Sequence, residues 1–266
     1  MPHKDLEHYL LERRVAARLR DSSADERRSL YNWAYDEIYR SVPGLKDAVS
    51  TKDPAETEKE AALLRSFVAK DSVYVEIGPG SCQTALAIAP FAKKVVAVDV
   101  TSELVPAGSL PDNFEHRISD GVDVPVPAGS ADVVYSNQLM EHLHPDDARE
   151  QLRNIYTALR SGGVYVCITP NRLSGPHDVS RNFDNEATGL HLREYSTGEL
   201  NTLFRDVGFS RVNPCIAYSG RSILLPLIAI RPAELVLDRL PSRLRKALTF
   251  NRIVRFLLGI KLIAVK

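Results

Sequence analysis

Four short runs of β-branched and apolar residues constrain the fold of this chain more than any other feature of its sequence. Helix-compatible stretches, among them 84–89 and 146–159, separate these runs. Short strands that are apolar throughout and alternate with helices indicate a parallel sheet covered on both faces. The runs are VYVEIG at 73–78, KVVAVDV at 94–100, ADVVYSN at 131–137 and GGVYVCITP at 162–170.

Helical patterns flank the predicted sheet. Apolar residues recur at helical spacing through the first 70 residues, and Pro43-Gly44 interrupts the pattern. A strand is predicted at 209–218, and the apolar, arginine-containing stretch from Ser222 to Phe256 is typical of helix. We therefore predict four parts: a helical N-terminal cap at 1–70, a core at 71–221, a helical insertion at 222–258 and a closing strand of the core at 259–266.

The composition narrows the function classes. Lysine plus arginine and aspartate plus glutamate both number 34, so the chain lacks the basic excess of most nucleic-acid-binding proteins. Cys82, Cys167 and Cys215 are far apart and form neither a metal-type pair nor a disulfide framework, which favours a reducing compartment. The N-terminus has no apolar signal segment, and no uncharged stretch is long enough to cross a bilayer. We expect a soluble cytoplasmic protein.

A glycine turn follows the first predicted strand. In VYVEIGPGSCQTA, Gly78 permits a sharp turn and Gly80 lets the backbone approach a ligand closely. A nicotinamide-binding protein would also have such a turn. The third fingerprint position, however, is Gln83 instead of glycine, and Glu76 brings negative charge to the place of a pyrophosphate. S-adenosylmethionine has no phosphate, and its sulfonium and ammonium tolerate a nearby carboxylate.

Two further acids follow predicted strands. Asp99 ends the second strand, where a carboxylate can bind a ribose diol. Asp120 follows a short third strand expected around 115–118, where it can meet an adenine. Each of these residues taken singly also fits an ordinary solvated acid at a strand end.

Glu-x-Gly-x-Gly at 76–80, Asp99, Asp120 and the strands ADVVYSNQ and GGVYVCITPN together resemble the class I S-adenosylmethionine-dependent methyltransferases. The resemblance extends over about 70–218. It implies a Rossmann-like, doubly wound α/β fold whose seven-stranded sheet is mostly parallel with a C-terminal antiparallel hairpin. It also implies cofactor contacts at Glu76, Gly78, Gly80, Asp99 and Asp120, with Ser136 or Asn137 beside the methionine part.

The segment after the fourth strand, SNQLMEHLHPDD, holds the candidate catalytic residues. A hydroxyl acceptor needs a general base or a metal, because its pKa is far above neutral. A helical turn beginning here would place Gln138, Glu141 and His142 on one face, beside the cofactor sulfur. We assign His142 and His144 as candidate catalytic residues, with His144 as the base.

The same segment resembles the Glu-x-x-Glu-His motif of the small-RNA 3′-terminal 2′-O-methyltransferases and the ubiquinone-pathway O-methyltransferases, which bind a divalent metal. The resemblance implies that Gln138, Glu141, His142 and His191 are ligands of a cation such as Mg²⁺. Gln138 departs from the motif, and the lost negative charge should weaken binding. In metal-free members of the class, Glu-His-Leu at this place shapes the pocket, so both interpretations stay open.

Two features concern the acceptor. Tyr31, Tyr35 and Tyr39 share a helix face, a pattern that favours packing against the core over a groove that stacks on sugar rings. The long polar loop after Thr169, with ionisable residues such as His177, suits a hydroxyl-rich acceptor.

PNRLSGPHDVSR and HLREYS are similar to segments of methyltransferases of bacterial polysaccharide pathways, including those that methylate mannose polysaccharides. We therefore expect O-methylation of a saccharide in polysaccharide biosynthesis, with a small-molecule or oligosaccharide acceptor and no nucleic acid. A quinone or lipid-like acceptor is the alternative, with 222–258 as a membrane-surface contact. That segment also fits a homo-oligomer interface. A nicotinamide-dependent oxidoreductase and a catalytically silent binding module are the alternatives outside the class.

Overall fold

The computed structural model describes residues 2–218 and 221–266, and eight strands of this part of the chain form one sheet. The strands are β1 (Val73–Ile77), β2 (Lys94–Asp99), β3 (Phe114–Ile118), β4 (Ala131–Asn137), β5 (Leu159–Thr169), β6 (Arg211–Tyr218), β7 (Arg221–Leu224) and β8 (Ile260–Val265). Their order is β3-β2-β1-β4-β5-β8-β6-β7. β1 to β5 pair in parallel, whereas β8 runs antiparallel to both β5 and β6. The predicted Rossmann-like α/β fold is confirmed.

The predicted count of seven strands is wrong, and the difference lies in the insertion. The segment predicted to be wholly helical begins with β7, which pairs antiparallel with β6 through Ile216 and Ile223. The four-residue run is too short to show a strand period in the sequence. By pairing here, it occupies the edge that β6 would otherwise leave open.

Helices cover both faces of the sheet. One face packs against residues of the N-terminal cap and of two long helices, with Leu152, Ile155 and Phe204 fully buried. The other face packs against Leu64 and Ile88. Among the described residues, none of the helices has the length and apolar character needed to span a membrane. The helices are α1 (Pro2–Asp21), α2 (Ala24–Ser41), α3 (Leu45–Ser50), α4 (Pro54–Leu64), α5 (Gln83–Ile88), α6 (Pro145–Ala158), α7 (Thr197–Val207), α8 (Arg231–Arg239), α9 (Ser242–Thr249) and α10 (Arg252–Leu258).

A buried ion pair joins the N-terminal cap to the core. The guanidinium of Arg27 in α2 donates to both oxygens of Asp147 in α6, from Nε at 2.6 Å and from Nη2 at 2.7 Å. The hydroxyl of Tyr31 donates to the same carboxylate at 2.6 Å and accepts the backbone N–H of His144 at 3.0 Å. The guanidinium, the carboxylate and the phenol thus satisfy one another's hydrogen-bonding groups away from water. These bonds fix α2 in one orientation on α6.

Replacing Asp147 with alanine should lower the free energy of unfolding by about 3–5 kcal/mol, because Arg27 would stay buried without its counter-ion. Asp146→Ala is the matched control: that side chain is 83% exposed, and its loss should cost less than about 1 kcal/mol. Chemical denaturation followed by circular dichroism measures both values. Equal losses for the two variants would show that the ion pair does not anchor the cap.

Candidate active site

A cavity of about 410 Å³ opens at the carboxyl ends of β1, β2 and β4. These strands flank the point where the strand order of the parallel sheet reverses, which is where open α/β sheets bind their ligands. The cavity floor comes from strand ends and the turns after them, and α2 and α3 supply the opposite wall. The lining includes Ile77, Gly78, Gly80, Asp99, Asn137, Gln138 and His142 from the core, with Tyr31, Tyr35, Tyr39, Leu45 and Val49 from the cap.

The turn after β1 needs its glycines. Gly78 has a φ of 66°, and a Cβ there would lie 3.1 Å from Cδ1 of Leu139, so a larger residue would be both strained and crowded. Gly80 also has a positive φ, of 53°, with open space where a side chain would stand. The backbone is therefore exposed to any ligand in the cavity, as the sequence predicts.

Asp99 lies on the cavity wall at the end of β2. Burial raises the pKa of its carboxyl to about 6, although hydrogen bonds from backbone N–H groups, including that of Val100 at 2.7 Å, favour the ionised form. A carboxylate held by the backbone at this strand end is suited to accept the two hydroxyls of a ribose.

Three of the predicted cofactor contacts lie off the cavity wall. Glu76 is 5% exposed behind the wall, where its carboxylate accepts from Tyr74. The hydroxyl of Ser136 lies in the core and shares a 2.7 Å hydrogen bond with that of Tyr165. Glu76 faces away because successive residues of a strand alternate between the faces of a sheet and Ile77 lines the cavity.

The third of these, Asp120, directs its carboxylate toward α2. It binds Arg28 and accepts the backbone N–H groups of Val122 and Asp123. Its neighbours Ser119 and Gly121 line the cavity in its place. Since Arg28 lies 92 positions away, nothing in the local sequence indicates this pairing.

A polar network links α4 to the end of β4. The amide of Asn137 donates to Oε1 of Glu60 at 2.9 Å, and the other oxygen of Glu60 accepts from Lys52 and from Thr84. The sequence alone does not indicate a role for Lys52 or Glu60, because neither belongs to a motif. Glu60 also lies 77 positions from Asn137. The network holds the Asn137 amide at the cavity.

Glu141, His142 and His191 form a cluster beside the cavity. One ligand atom from each lies within 4.8 Å of those of the other two. Oε1 of Glu141 and Nδ1 of His142 are buried and have no hydrogen-bond partner among the described residues, and His142 lines the cavity. A divalent cation would satisfy these atoms, so the donor set fits a metal.

The surroundings of the cluster also fit a metal site. Nδ1 of His191 lies 2.7 Å from Oε1 of Glu194, which leaves the other ring nitrogen for a ligand. Oε2 of Glu141 accepts the hydroxyl of Thr169 at 2.8 Å. Carboxylate and hydroxyl partners of this kind orient the ligands of most protein metal sites.

Burial shifts the pKa values of the cluster. It raises the pKa of Glu141 to about 7 and lowers that of His142 to about 3. Burial also lowers the pKa of His191, but the hydrogen bond to Glu194 and the charge of Glu141 outweigh it, so the pKa is raised. His142 is therefore neutral at pH 7, the form that binds metals.

Gln138 departs from its predicted place on a helical face with Glu141 and His142. Its φ is 54°, in the left-handed region, and the 3₁₀ turn begins only at Met140. The Gln138 side chain lines the cavity nonetheless. No helical turn begins at Gln138, since the backbone N–H of that residue still bonds to the carbonyl of Ile168 in β5.

Residues 75–167 match the family model described as a methyltransferase domain. A probable S-adenosylmethionine-dependent methyltransferase of Mycobacterium tuberculosis is 33% identical over 147 residues, which is 55% of this chain and 52% of that protein. Another, from Mycolicibacterium smegmatis, is 30% identical over 136 residues, 51% of each. The segment 75–167 is thus similar to S-adenosylmethionine-dependent methyltransferases. The chain spans about half the length of the curated relatives it matches.

Solved structures show the same fold. Haemonchus contortus phosphoethanolamine N-methyltransferase 1, bound to phosphoethanolamine and S-adenosylhomocysteine, aligns with a TM-score of 0.59 and 16% identity over 92% of this chain and 50% of its own. The complex between the Haloferax volcanii Trm112 methyltransferase activator and a putative methyltransferase contains a chain that aligns with a TM-score of 0.57 and 17% identity. That alignment covers 84% of this chain and 94% of the other.

The structure places His144, the predicted base, at the start of α6. It caps α6, where Nδ1 accepts the backbone N–H of Asp146 at 3.3 Å, and it is absent from the cavity wall. The signal was in the sequence: Pro145 suits the first helical position, and two aspartates follow in the first turn.

The tyrosines of α2 line the cavity at the glycine turn and do not simply pack on the core. Tyr35 and Tyr39 present half-buried rings with centroids 6.0 Å apart, and Tyr35 lies 6.1 Å from the ring of His142. Tyr31 is 3% exposed and packs on Gly121, whose φ of 89° and lack of Cβ allow the contact; a Cβ there would lie 2.9 Å from the Tyr31 ring. The predicted packing therefore holds for Tyr31 alone.

Protonation of Asp99 should weaken S-adenosylmethionine binding, because a neutral carboxyl no longer accepts both ribose hydroxyls. With the pKa of Asp99 at about 6, the dissociation constant should be roughly tenfold higher at pH 5 than at pH 7. Titration calorimetry at several pH values measures it. Asp99→Asn should bind more weakly and lose this pH dependence.

Asp120→Asn serves as the control for this prediction, since the Asp120 carboxylate is committed to Arg28. It should keep the affinity and the pH profile of the unsubstituted protein. A defect in Asp120→Asn as large as that in Asp99→Asn would reject the assignment of the ribose to Asp99.

Proposed function

We propose that this protein transfers a methyl group from S-adenosylmethionine to a hydroxyl of a saccharide acceptor, as part of polysaccharide biosynthesis. The proposal depends on one observation: a residue of the metal-type cluster and the predicted cofactor residues line the same cavity. His142, backed by Glu141 and His191, lines the same cavity as the glycine turn and Asp99. A group able to activate a hydroxyl thus lies beside the place of the methyl donor.

Methyl transfer to a hydroxyl requires that the protein align the acceptor oxygen with the methyl group and activate that oxygen as a nucleophile. The sulfonium is already reactive, so much of the rate enhancement comes from holding the acceptor oxygen in line with the methyl group. The hydroxyl must lose its proton, and His142 with a pKa near 3 is too weak a base at neutral pH. The neutral imidazole is better suited as a metal ligand.

In this proposal Glu141, His142 and His191 would hold a divalent cation. Bound there, the cation would lower the pKa of an acceptor hydroxyl. Two imidazoles and one carboxylate favour Mn²⁺ or a similar transition-metal ion over Mg²⁺, which prefers oxygen ligands. The unpartnered amide of Gln138 on the cavity wall is available for the acceptor or for the cation.

The cap supports a saccharide acceptor. Sugar rings combine apolar C–H faces with hydroxyl edges, so they suit a pocket with aromatic walls and a few placed polar groups. The rings of Tyr35 and Tyr39 supply an aromatic wall, and the amides of Asn137 and Gln138 supply polar groups. Because Tyr35 lies against His142, a sugar stacked on the tyrosines would reach the activating cluster.

The exposed face of the insertion favours a second candidate, a lipid-like or lipid-linked acceptor. Within 222–258, seven arginines and lysines stand against two acids, so the segment is strongly basic. Two copies would repel each other, whereas an anionic bilayer surface would attract the segment. Its exposed large apolar residues are Ile223, Leu224, Ile228, Leu235, Val236, Leu244, Leu248, Phe250, Ile253, Phe256 and Leu257.

The test of the proposed function is methyl transfer from labelled S-adenosylmethionine to saccharide, quinone and RNA acceptors. A saccharide should be methylated, chelation should lower its turnover at least about tenfold, and Mn²⁺ should restore it better than Mg²⁺. Glu141→Gln should lower turnover by about 10–100-fold with unchanged affinity for the methyl donor.

His144→Ala is the control in this assay and should keep near-normal turnover, because the side chain only caps α6. Full activity in chelator would reject the metal, and methylation of quinones alone would replace the saccharide with the second candidate.

Vesicle co-sedimentation tests the membrane contact. The protein should bind vesicles that contain phosphatidylserine and leave neutral phosphatidylcholine vesicles unbound. Phe250→Ser combined with Ile253→Ser should weaken binding by at least about tenfold, since each buried apolar side chain contributes about 1.5–3 kcal/mol. Leu10→Ser, on the exposed face of α1, is the control and should bind normally. A salt-resistant dimer that the double variant dissociates would identify the face as a subunit interface instead.

A further inference from the structure

A second cavity, of about 240 Å³, lies beside the first. It is formed by the end of β5, the loop that follows, the start of β8 and α10. Gln138 lines both cavities, so their contents would be neighbours. Thr169 also lines the second cavity, and its hydroxyl donates to Glu141 of the metal-type cluster.

Most polar side chains around this cavity already have partners within the protein. The amide of Asn171 donates to Glu234 and to the carbonyl of Leu258, and its oxygen accepts the N–H of Leu173. The hydroxyl of Ser174 and Nε2 of His177 lie 3.0 Å apart, and each contacts the carbonyl of Asn171. These groups form a fixed wall that has little left to offer a ligand.

Two cations on the wall are not paired in this way. The guanidinium of Arg255 and the ammonium of Lys261 have neither an ion pair nor a side-chain hydrogen bond with any residue that the structure describes. Arg172, in the adjoining loop, shows the usual behaviour, because it binds both Glu199 and Asp238. No carboxylate of the described residues lines this cavity.

We propose that the second cavity binds an anionic group of the acceptor, either a carboxylate or a phosphate. This inference rests on the proposed methylation of a hydroxyl and narrows its substrate class to acidic acceptors. Two positive charges that share a small cavity without a counter-ion create a field that an anion relieves. Arg255 offers the paired donors that match carboxylate and phosphate oxygens, and Lys261 adds a point charge.

The position of the cavity relates the anion to the reacting hydroxyl. Gln138 lies between the two cavities. Its backbone is in the left-handed conformation, and its N–H donates to the carbonyl of Ile168, which fixes the position of its backbone. An acceptor with its anion between Arg255 and Lys261 would pass Gln138 and present a hydroxyl at His142. The site would thus select acceptors in which an acidic group and the methylated hydroxyl lie on one sugar or on adjacent units.

Direct binding of inorganic phosphate, measured by titration calorimetry in the presence of S-adenosylhomocysteine, tests the site without any turnover. Arg255→Gln combined with Lys261→Gln should raise the dissociation constant of phosphate at least about tenfold and leave that of S-adenosylhomocysteine unchanged. Arg243→Gln is the charge control, since this arginine of α9 lines neither cavity. Arg255→Lys should keep part of the affinity, which separates loss of charge from loss of fold. Absence of phosphate binding, or an equal loss in Arg243→Gln, would overturn the inference.

Acceptor kinetics distinguish this inference from the proposed function. Oligosaccharides that carry a uronate or a sugar phosphate should have kcat/KM values at least about tenfold above those of their neutral counterparts, and the double variant should remove the difference through KM. A preference for the uronate or for the sugar phosphate would show whether the site binds a carboxylate or a phosphate of the acceptor. Equal values for acidic and neutral saccharides would reject the anion site while the proposed methylation stands. Phosphate binding without any saccharide turnover would support the site and reject the saccharide.

Discussion

The buried contact between Arg27 and Asp147 is the interaction on which the geometry of the cleft depends. The core contributes a floor of strand ends, and the opposite wall belongs to α2, which this ion pair fixes on α6. Tyr31 shares the carboxylate, and the next turns of α2 carry Tyr35 and Tyr39 into the cavity. A change at Asp147 would therefore reach the cavity wall formed by α2, although Asp147 itself does not line the cavity.

The cap also positions the loop that supplies the distant histidine. α1 contacts this loop twice near its end: Arg20 donates to the carbonyl of His191 at 3.2 Å, and Glu12 accepts the N–H of Leu190 at 3.1 Å. Further along the loop, Tyr9 stacks on Phe183 with centroids 4.4 Å apart. The long polar segment is thus ordered by the helices that close the cofactor cleft. The cap thus contacts the loop that supplies His191 to the Glu141 cluster.

Features that depend on neighbouring residues could be predicted from the sequence. Contacts between residues far apart in the chain could not. The strands, the glycine turn and the place of Asp99 follow from apolar runs and from backbone geometry within a few residues. The partner of Asp120 lies 92 positions away, so its diversion toward α2 had no local signal. His144 was different, because the proline and aspartates that make it a helix cap stand beside it. The strand β7 was hidden by its four-residue length.

The two cavities differ in the charge of their walls, and under the proposed function this difference would orient an acceptor. On the side of the glycine turn, the carboxyl of Asp99 lies on the wall of the first cavity, and burial raises its pKa to about 6. Its ionised form would attract a sulfonium nucleoside and disfavour an acidic group at that end of the cleft. Beyond Gln138, Arg255 and Lys261 attract it. Under the proposed function, an acidic acceptor would have one electrostatically favoured orientation, with its anion far from the glycine turn and its neutral hydroxyl end toward His142.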